Sequence, residues 1–258
     1  MSVLATQVGA LARRSVTRTA RQPASAIPPL VFPLTLLAVN AGGLQSSTEI
    51  PGFPTDSFLA FALAVPFIQG ALFSTMNAGT DLARDIQTGF FSRLSLTPMR
   101  GSALLAGQLI GIIVLGVLQA IVYTTVGLIV GVRIESGVAG IAVLLLFAAL
   151  VSLGFGALGS FLALRTGSGE SIQGLFPVLF VFLFISSMNT PLDLIQVDWF
   201  RALATANPVS YLIDCVRSLI ITGWDGRALA LGFGCAAAIA VISLVAASWA
   251  LTTRMERT

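Results

Sequence analysis

The sequence predicts an all-α integral membrane fold: six transmembrane helices, an N-terminal interfacial helix, and short outer re-entrant helices between spans five and six. Three observations predict it. Of the 258 residues, 56% are hydrophobic and only 10% charged, against roughly 25% charged in soluble domains. Six apolar segments each meet the ~18 residues needed to cross hydrocarbon. An open strand edge in lipid would leave backbone polar groups unpaired, so those segments must be helical.

The chain begins with Leu4 to Arg21, where Leu4, Val8, Leu11, Ala12 and Val16 share one helical face and Arg14, Arg18 and Arg21 fall on another. Such a helix suits the inner leaflet, with its arginines among anionic headgroups. A disordered basic tail is the other reading. Residues 1–26 form this cytoplasmic part, residues 27–253 the membrane domain and residues 254–258 a cytoplasmic tail. Spans are expected at Ile27–Leu44, Phe58–Thr80, Ser102–Val132, Val138–Leu164, Ser171–Leu192 and Ala228–Thr253. The third and fourth exceed the hydrocarbon thickness and are expected to tilt or to extend beyond the lipid. A cleaved signal peptide ending near Val39-Asn40-Ala41 is the rival reading of the first span. Its charged leader is too long for that, and cleavage would leave an odd number of spans.

Arginine placement sets the orientation. With the N-terminus inside, ten of the fourteen arginines lie on the inner side, and only Arg133, Arg201, Arg217 and Arg227 lie outside. Positive charge retained inside then makes both termini cytoplasmic, in a multi-pass protein of the cell membrane.

Between the second and third spans, residues 81–101 form the first substantial cytoplasmic loop. Leu82, Ile86, Phe90 and Leu94 fall on one helical face, Gly89 permits a bend, and Pro98 restarts the chain. Taken alone, this segment reads equally as an inner-leaflet helix or as a docking element. Residues 193–227 form the outer re-entrant segment. Within it Asn207 suits an N-cap, Pro208 the first helical position and Gly223 the stop. Val209, Leu212, Ile213, Val216, Leu219 and Ile220 form an apolar stripe, with Tyr211, Asp214, Arg217 and Ser218 opposite. From Pro208 to Thr222 such a helix is about 22 Å long, too short for a core of about 30 Å. Trp199 and Trp224 flank it at aromatic-belt positions. Asp214 and Arg217, three apart, are expected to pair, so that losing either alone costs more than losing both.

Several function classes are excluded. The chain has no histidine and all its basic residues are arginines, which removes the usual general base and the lysine of a phosphate-binding loop. Cys215 and Cys235 have neither metal nor redox spacing and read as small buried apolar residues. No Asp, Glu, Arg or Lys lies within the six spans. Ion-driven carriers and intramembrane enzymes use such groups at membrane depth, so a transporter of this composition draws its energy from outside the bilayer. The embedded polar groups are neutral: Gln69 and Asn77 beside Phe73 in the second span, Gln108, Gln119 and Tyr123 in the third, and Ser187 with Phe176, Phe180 and Phe184 in the fifth. Two readings stay open for them, helix packing or a substrate path for an amphiphile. Gly107-x-x-x-Gly111 and Gly127-x-x-x-Gly131 allow close helix approach.

The inner pattern "GFFSRLSLTPM…LLAG" and the outer "WFRALATANPVSYLIDCVRSLIITG", set among six spans with cytoplasmic ends, resemble the type-2 ABC-transporter permeases. Within them, the chain is most similar to the drug-efflux branch typified by daunorubicin/doxorubicin-resistance permeases. The resemblance implies a transport subunit, not an enzyme by itself, that forms a dimer with a second permease copy, expected to be a homodimer. It also implies two separate ATP-binding subunits that use ATP and Mg, while this chain holds no cofactor or metal. Coupling to the ATPase would then fall on Arg84, Asp85, Gly89, Phe90, Phe91, Arg93, Leu94 and Pro98. Ser92 stands where relatives often carry an acidic residue before the arginine, which weakens an ion pair inside that loop. The function implied is export of an amphiphilic or hydrophobic compound, drug-like or lipid, from the cytoplasm or inner leaflet. Export of a glycan or lipid-linked glycan by the same architecture, and an ion-coupled carrier, are the alternatives.

Overall fold

A computed structural model describes residues 9–14, 16–17, 23–89 and 101–255. These residues form helices joined by short connections, with no strand among them. Residues 9–14 and 16–17 are helical and make up the N-terminal helix. Then come α1 (Pro23–Gly43), α2 (Phe58–Ala62), α3 (Ala64–Gln87), α4 (Gly101–Ile129), α5 (Gly137–Thr166), α6 (Gly169–Phe184), α7 (Asp198–Ala206), α8 (Pro208–Arg217) and α9 (Gly226–Met255). The end of the bundle holding the N-terminal helix and Met255 is called the base, and the end holding α7 and α8 the top.

Four stretches are long and apolar enough to cross a membrane: Phe58–Gln87, Ala103–Ile129, Gly137–Thr166 and Gly226–Met255. The apolar parts of α1 and α6, Ile27–Gly43 and Gly169–Phe184, are shorter. The expected second span therefore runs seven residues past Thr80, because Leu82 and Ala83 are buried and carry the helix on. It stops at Gly89, whose φ of +70° is open to glycine. The expected fifth span ends eight residues before Leu192. Pro66 explains the break between α2 and α3, since it has no N–H for the carbonyl of Ala62.

Helix α5 is the hub, packed on α3, α4 and α9. Lipid-embedded helices gain little from the hydrophobic effect against one another, so close backbone approach decides where they meet. A Cβ on Gly159 would stand 2.0 Å from the carbonyl oxygen of Thr75, and the Thr75 hydroxyl donates to the Phe155 carbonyl at 3.0 Å. Across the hub, α9 buries Gly232, Ala236, Ala240, Ser243, Ala247 and Ala250 while exposing Val241, Ile242, Val245 and Trp249. Of the spaced glycines, Gly107 meets Leu11 of the N-terminal helix and Gly127 meets Leu63. Gly131, at φ +93°, belongs to the turn after α4.

Candidate functional site

Three groups of residues stand out, at the top, the middle and the base. At the top, α8 follows the local rules of its sequence. The Asn207 side chain accepts from the Val209 N–H at 3.0 Å, Pro208 opens the helix, and Gly223 ends the following π turn at φ +86°. Val209, Leu212, Ile213, Val216, Leu219 and Ile220 are all buried. So are Arg217 and Ser218, which corrects the reading of these two as members of an opposite, polar face. The helix buries both faces because it packs on α9 and on the start of α3, and also touches the end of α6.

Arg217 organises this region. Its guanidinium pairs with Asp214 Oδ1 at 2.8 Å and donates to the carbonyls of Ser187 at 3.0 Å and Met188 at 3.3 Å. Its Nε–H reaches the Phe61 carbonyl at 3.4 Å, and its carbon stands 3.6 Å from the centroid of the Phe61 ring. Ser187 donates its hydroxyl to Asp214 Oδ1 at 2.9 Å, so the residue assigned to the fifth span belongs to this cluster. The Asn207 amide donates to the carbonyls of Phe182 and Ile185. This is why α6 can stop inside the protein. An apolar run that leaves the helix exposes carbonyls, and here Asn207 and Arg217 supply the donors. Burial holds the Asp214 carboxyl above its usual range, against the pull of Arg217 and Ser187. Burial also draws the Arg217 guanidinium down to about 10, with Asp214 opposing, and leaves it protonated at neutral pH. A cavity of about 410 Å³ adjoins the cluster, lined among others by Asp193, Asp214, Arg217, Tyr211 and Arg227.

Cys215 sits behind this pair, fully buried, and burial together with the Asp214 charge pushes its thiol up to about 12. In a Cys235→Ala background the folded protein should resist maleimide at pH 7–8 and react only after denaturation. Rapid labelling of the native protein would contradict this packing.

In the middle, the phenylalanines assigned from the second and fifth spans meet. Phe73 of α3 lies 5.1 Å from Phe176 and 6.5 Å from Phe180, centroid to centroid, and Phe176 and Phe180 are 4.6 Å apart. Phe184 continues the row at 6.3 Å. Phe32 of α1, which the sequence reading missed, joins Phe73 at 6.1 Å and Phe180 at 5.8 Å. No spacing rule could have found it, since its neighbours lie on distant segments. Phe32 and Phe184 are exposed, while Phe73, Phe176 and Phe180 are half-buried. Gln69, one turn from Phe73, is wholly buried, and neither of its amide atoms has a hydrogen-bond partner. Asn77, two turns from Gln69 on the same helix, lines a small cleft near the base shared with Arg14, Asp81 and Gln108.

At the base, Arg14 makes a two-pronged pair with Asp85, both contacts at 2.9 Å. Two expectations change with that contact: Arg14 is held by protein rather than by lipid headgroups alone, and Asp85 is engaged within this chain. Arg84 is exposed near the end of α3, which places it on the continuation of the second span instead of a separate loop helix. Arg254 donates to the Leu164 carbonyl at 2.7 Å and Gln87 to that of Gly167 at 3.2 Å. These contacts tie the ends of α3, α5 and α9 together. Phe90, Phe91, Arg93, Leu94 and Pro98 lie outside the described residues, as do Arg18 and Arg21.

Comparison with known proteins gives consistent results. Residues 6–221 match the model of the ABC-2 type transporter family. The daunorubicin resistance ABC transporter permease protein DrrB1 of Streptomyces coeruleorubidus is 30% identical, over 84% of this chain and 75% of the relative. The probable doxorubicin resistance ABC transporter permease protein DrrC of Mycobacterium tuberculosis is 21% identical, over 81% of this chain and 75% of the relative. Helix α9 lies beyond the part that the family model matches.

Proposed function

The chain belongs to the ABC-2 type transporter family, and on that premise we propose that it is the permease of an ATP-driven exporter of amphiphilic or hydrophobic compounds. It is a membrane transport subunit; its orientation, partners and cargo are our reading. The base is cytoplasmic and the top faces outward. Six segments cross the bilayer, with α6 completing its passage through non-helical backbone whose carbonyls are met by Asn207 and Arg217. Two copies assemble, and each engages an ATP-binding subunit that uses ATP and Mg.

The row of rings from Phe73 through Phe176 and Phe180 to Phe184, joined by Phe32, carries the cargo assignment. It grades from half-buried to exposed, and nothing ionisable lies along it. Aromatic faces with few polar groups suit a flat or acyl-bearing amphiphile and give little to a glycan. Coupling falls on Arg84 at the tip of α3, the bend at Gly89, and Phe90, Phe91, Arg93, Leu94 and Pro98 beyond it. Asp85, held by Arg14, fixes the foot of α3 to the N-terminal helix beside that docking segment.

The test is copurification with the ATPase subunit, followed by a panel of amphiphiles read as ATPase stimulation. Phe90→Ala with Phe91→Ala should leave the permease inserted while weakening its hold on the ATPase at least ~30-fold, as anchor truncations of 2 kcal/mol or more do. Undiminished copurification together with full stimulation would show the segment to be a headgroup-bound helix.

A further inference from the structure

Helices α5 and α9 pack on one another, and both end at the base, where Arg254 donates to the Leu164 carbonyl at 2.7 Å. Two further groups at the end of α5 are also met. The Gly167 N–H donates to the Ala163 carbonyl at 2.8 Å, and the Gly167 carbonyl accepts from Gln87 at 3.2 Å. None of these bonds uses the Arg165 side chain. Arg165 is exposed, and its guanidinium carbon stands over the ring of Trp249 of α9, 5.2 Å from the centroid. Among the described residues it makes no ion pair. Glu170, the nearest acidic residue in the chain, lies in the first turn of α6, where the helix dipole favours a negative charge.

Trp249 ends an exposed apolar stripe. Ala238, Val241, Ile242, Val245 and Trp249 all face away from the bundle. From Ala238 to Trp249 the stripe is about 16 Å long at 1.5 Å per residue. That is about half of a hydrocarbon core of about 30 Å, the depth of one leaflet. A guanidinium resting on an indole at the end of such a stripe lies at the level of phospholipid phosphates.

We propose that the α5–α9 seam binds an anionic phospholipid of the leaflet at the base. Its phosphate sits on Arg165, with the Arg254 charge beside it, and an acyl chain lies along α9. Charge decides the class of lipid. Two arginines converge on this corner, so a net negative headgroup gains from both, whereas a zwitterionic one brings its own cation. Arg165 offers planar donors that match two phosphate oxygens, and the Trp249 ring steadies them. Arg254 also caps α5, so Arg165 is the cleaner residue to change. The proposal requires only that the chain lies in a bilayer; it rests neither on export nor on which side the base faces.

The test uses Trp249 as the reporter. A Trp199→Phe, Trp224→Phe background leaves it as the single tryptophan of the three, and both replaced residues are exposed at the top. The full chain is reconstituted in phosphatidylcholine vesicles to which acyl-brominated phosphatidylglycerol or acyl-brominated phosphatidylcholine is added. Quenching of Trp249 as the brominated fraction rises gives the relative affinity for the two lipids. The anionic lipid should be preferred at least about fivefold, and Arg165→Gln should lower the preference by about that factor, as expected for one arginine near a membrane surface. Arg165→Lys should keep part of it, having the charge without the planar fork. Inorganic phosphate, compared with chloride at equal ionic strength, should leave the ratio unchanged, because the lipid is held by its chain as well. Equal quenching by the two lipids, or an unaltered preference in Arg165→Gln, would overturn the proposal. So would loss of the preference in inorganic phosphate, which would mark an anion site without a lipid. Absence of quenching by either lipid would overturn it too, and would show this face of α9 to be covered by a second copy of the chain.

Discussion

Arg217→Ala should abolish stable assembly of the top. The guanidinium is buried and satisfies Asp214, the Ser187 and Met188 carbonyls and the Phe61 carbonyl. Its removal strands one carboxylate and the carbonyls of a helix end at once. Breaking a buried pair by deleting one partner commonly costs about 3–5 kcal/mol, comparable to the whole stability of many domains. Asp214→Ala should be milder, since Arg217 keeps its three carbonyls and its aromatic face. The double variant should resemble Arg217→Ala, because the carbonyls stay orphaned even when the carboxylate is gone. That ranking departs from the symmetric expectation, in which losing either partner is worse than losing both. Thermal melts and gel-filtration yield of the three variants measure it. A double variant more stable than Arg217→Ala by the full single-variant cost would show that the ion pair, and not the helix end, is what Arg217 serves.

The difference between the two expectations shows which parts of the molecule a sequence can convey. Caps and stops are local: Asn207, Pro208 and Gly223 act within a turn of themselves and are legible by residue type. The apolar stripe of α8 is legible for the same reason. Arg217 read as a polar-face residue because a helical wheel assigns sides without knowing that both sides are covered. The end of α6 was illegible because hydropathy continues unchanged to Leu192, and what stops the helix is a pair of side chains more than twenty residues away. Arg14 with Asp85, and the Tyr123 hydroxyl of α4 with the Pro29 carbonyl of α1, are more distant still. Each joins two helices that lie far apart in the chain. The aromatic row is intermediate: its members on α6 show by periodicity, while Phe32 joins through packing alone.

Gly159→Val should prevent the bundle from forming. The added Cβ would meet the Thr75 carbonyl oxygen at 2.0 Å, a backbone atom with no rotamer by which to withdraw. Helices α3 and α5 would have to part by more than about 1 Å along a seam that also holds the Thr75–Phe155 hydrogen bond, and overpacking of this kind costs at least about 1–3 kcal/mol. Loss of α3 from the hub would also leave α6 without its main support. Gly234→Ala, where nothing lies within 4 Å, is the control; it should be neutral or slightly stabilising, as alanine is the better helix former. Detergent-extracted yield and melting temperature compare the two. Wild-type behaviour of Gly159→Val would mean that α3 and α5 do not meet there.

Thr75 lies almost midway along α3, which runs unbroken from Ala64 to Gln87. At 1.5 Å per residue the two halves are about 17 Å each. Taken as a rigid rod resting on Gly159, the helix has arms of nearly equal length. A rocking of about 5° would carry each tip about 1.5 Å, in opposite senses, with no mechanical advantage in either direction. One arm ends where Arg14 grips Asp85, and the other ends beside Phe61, the platform under Arg217. A rigid rocking of that kind would carry equal and opposite displacements to the two ends of the molecule.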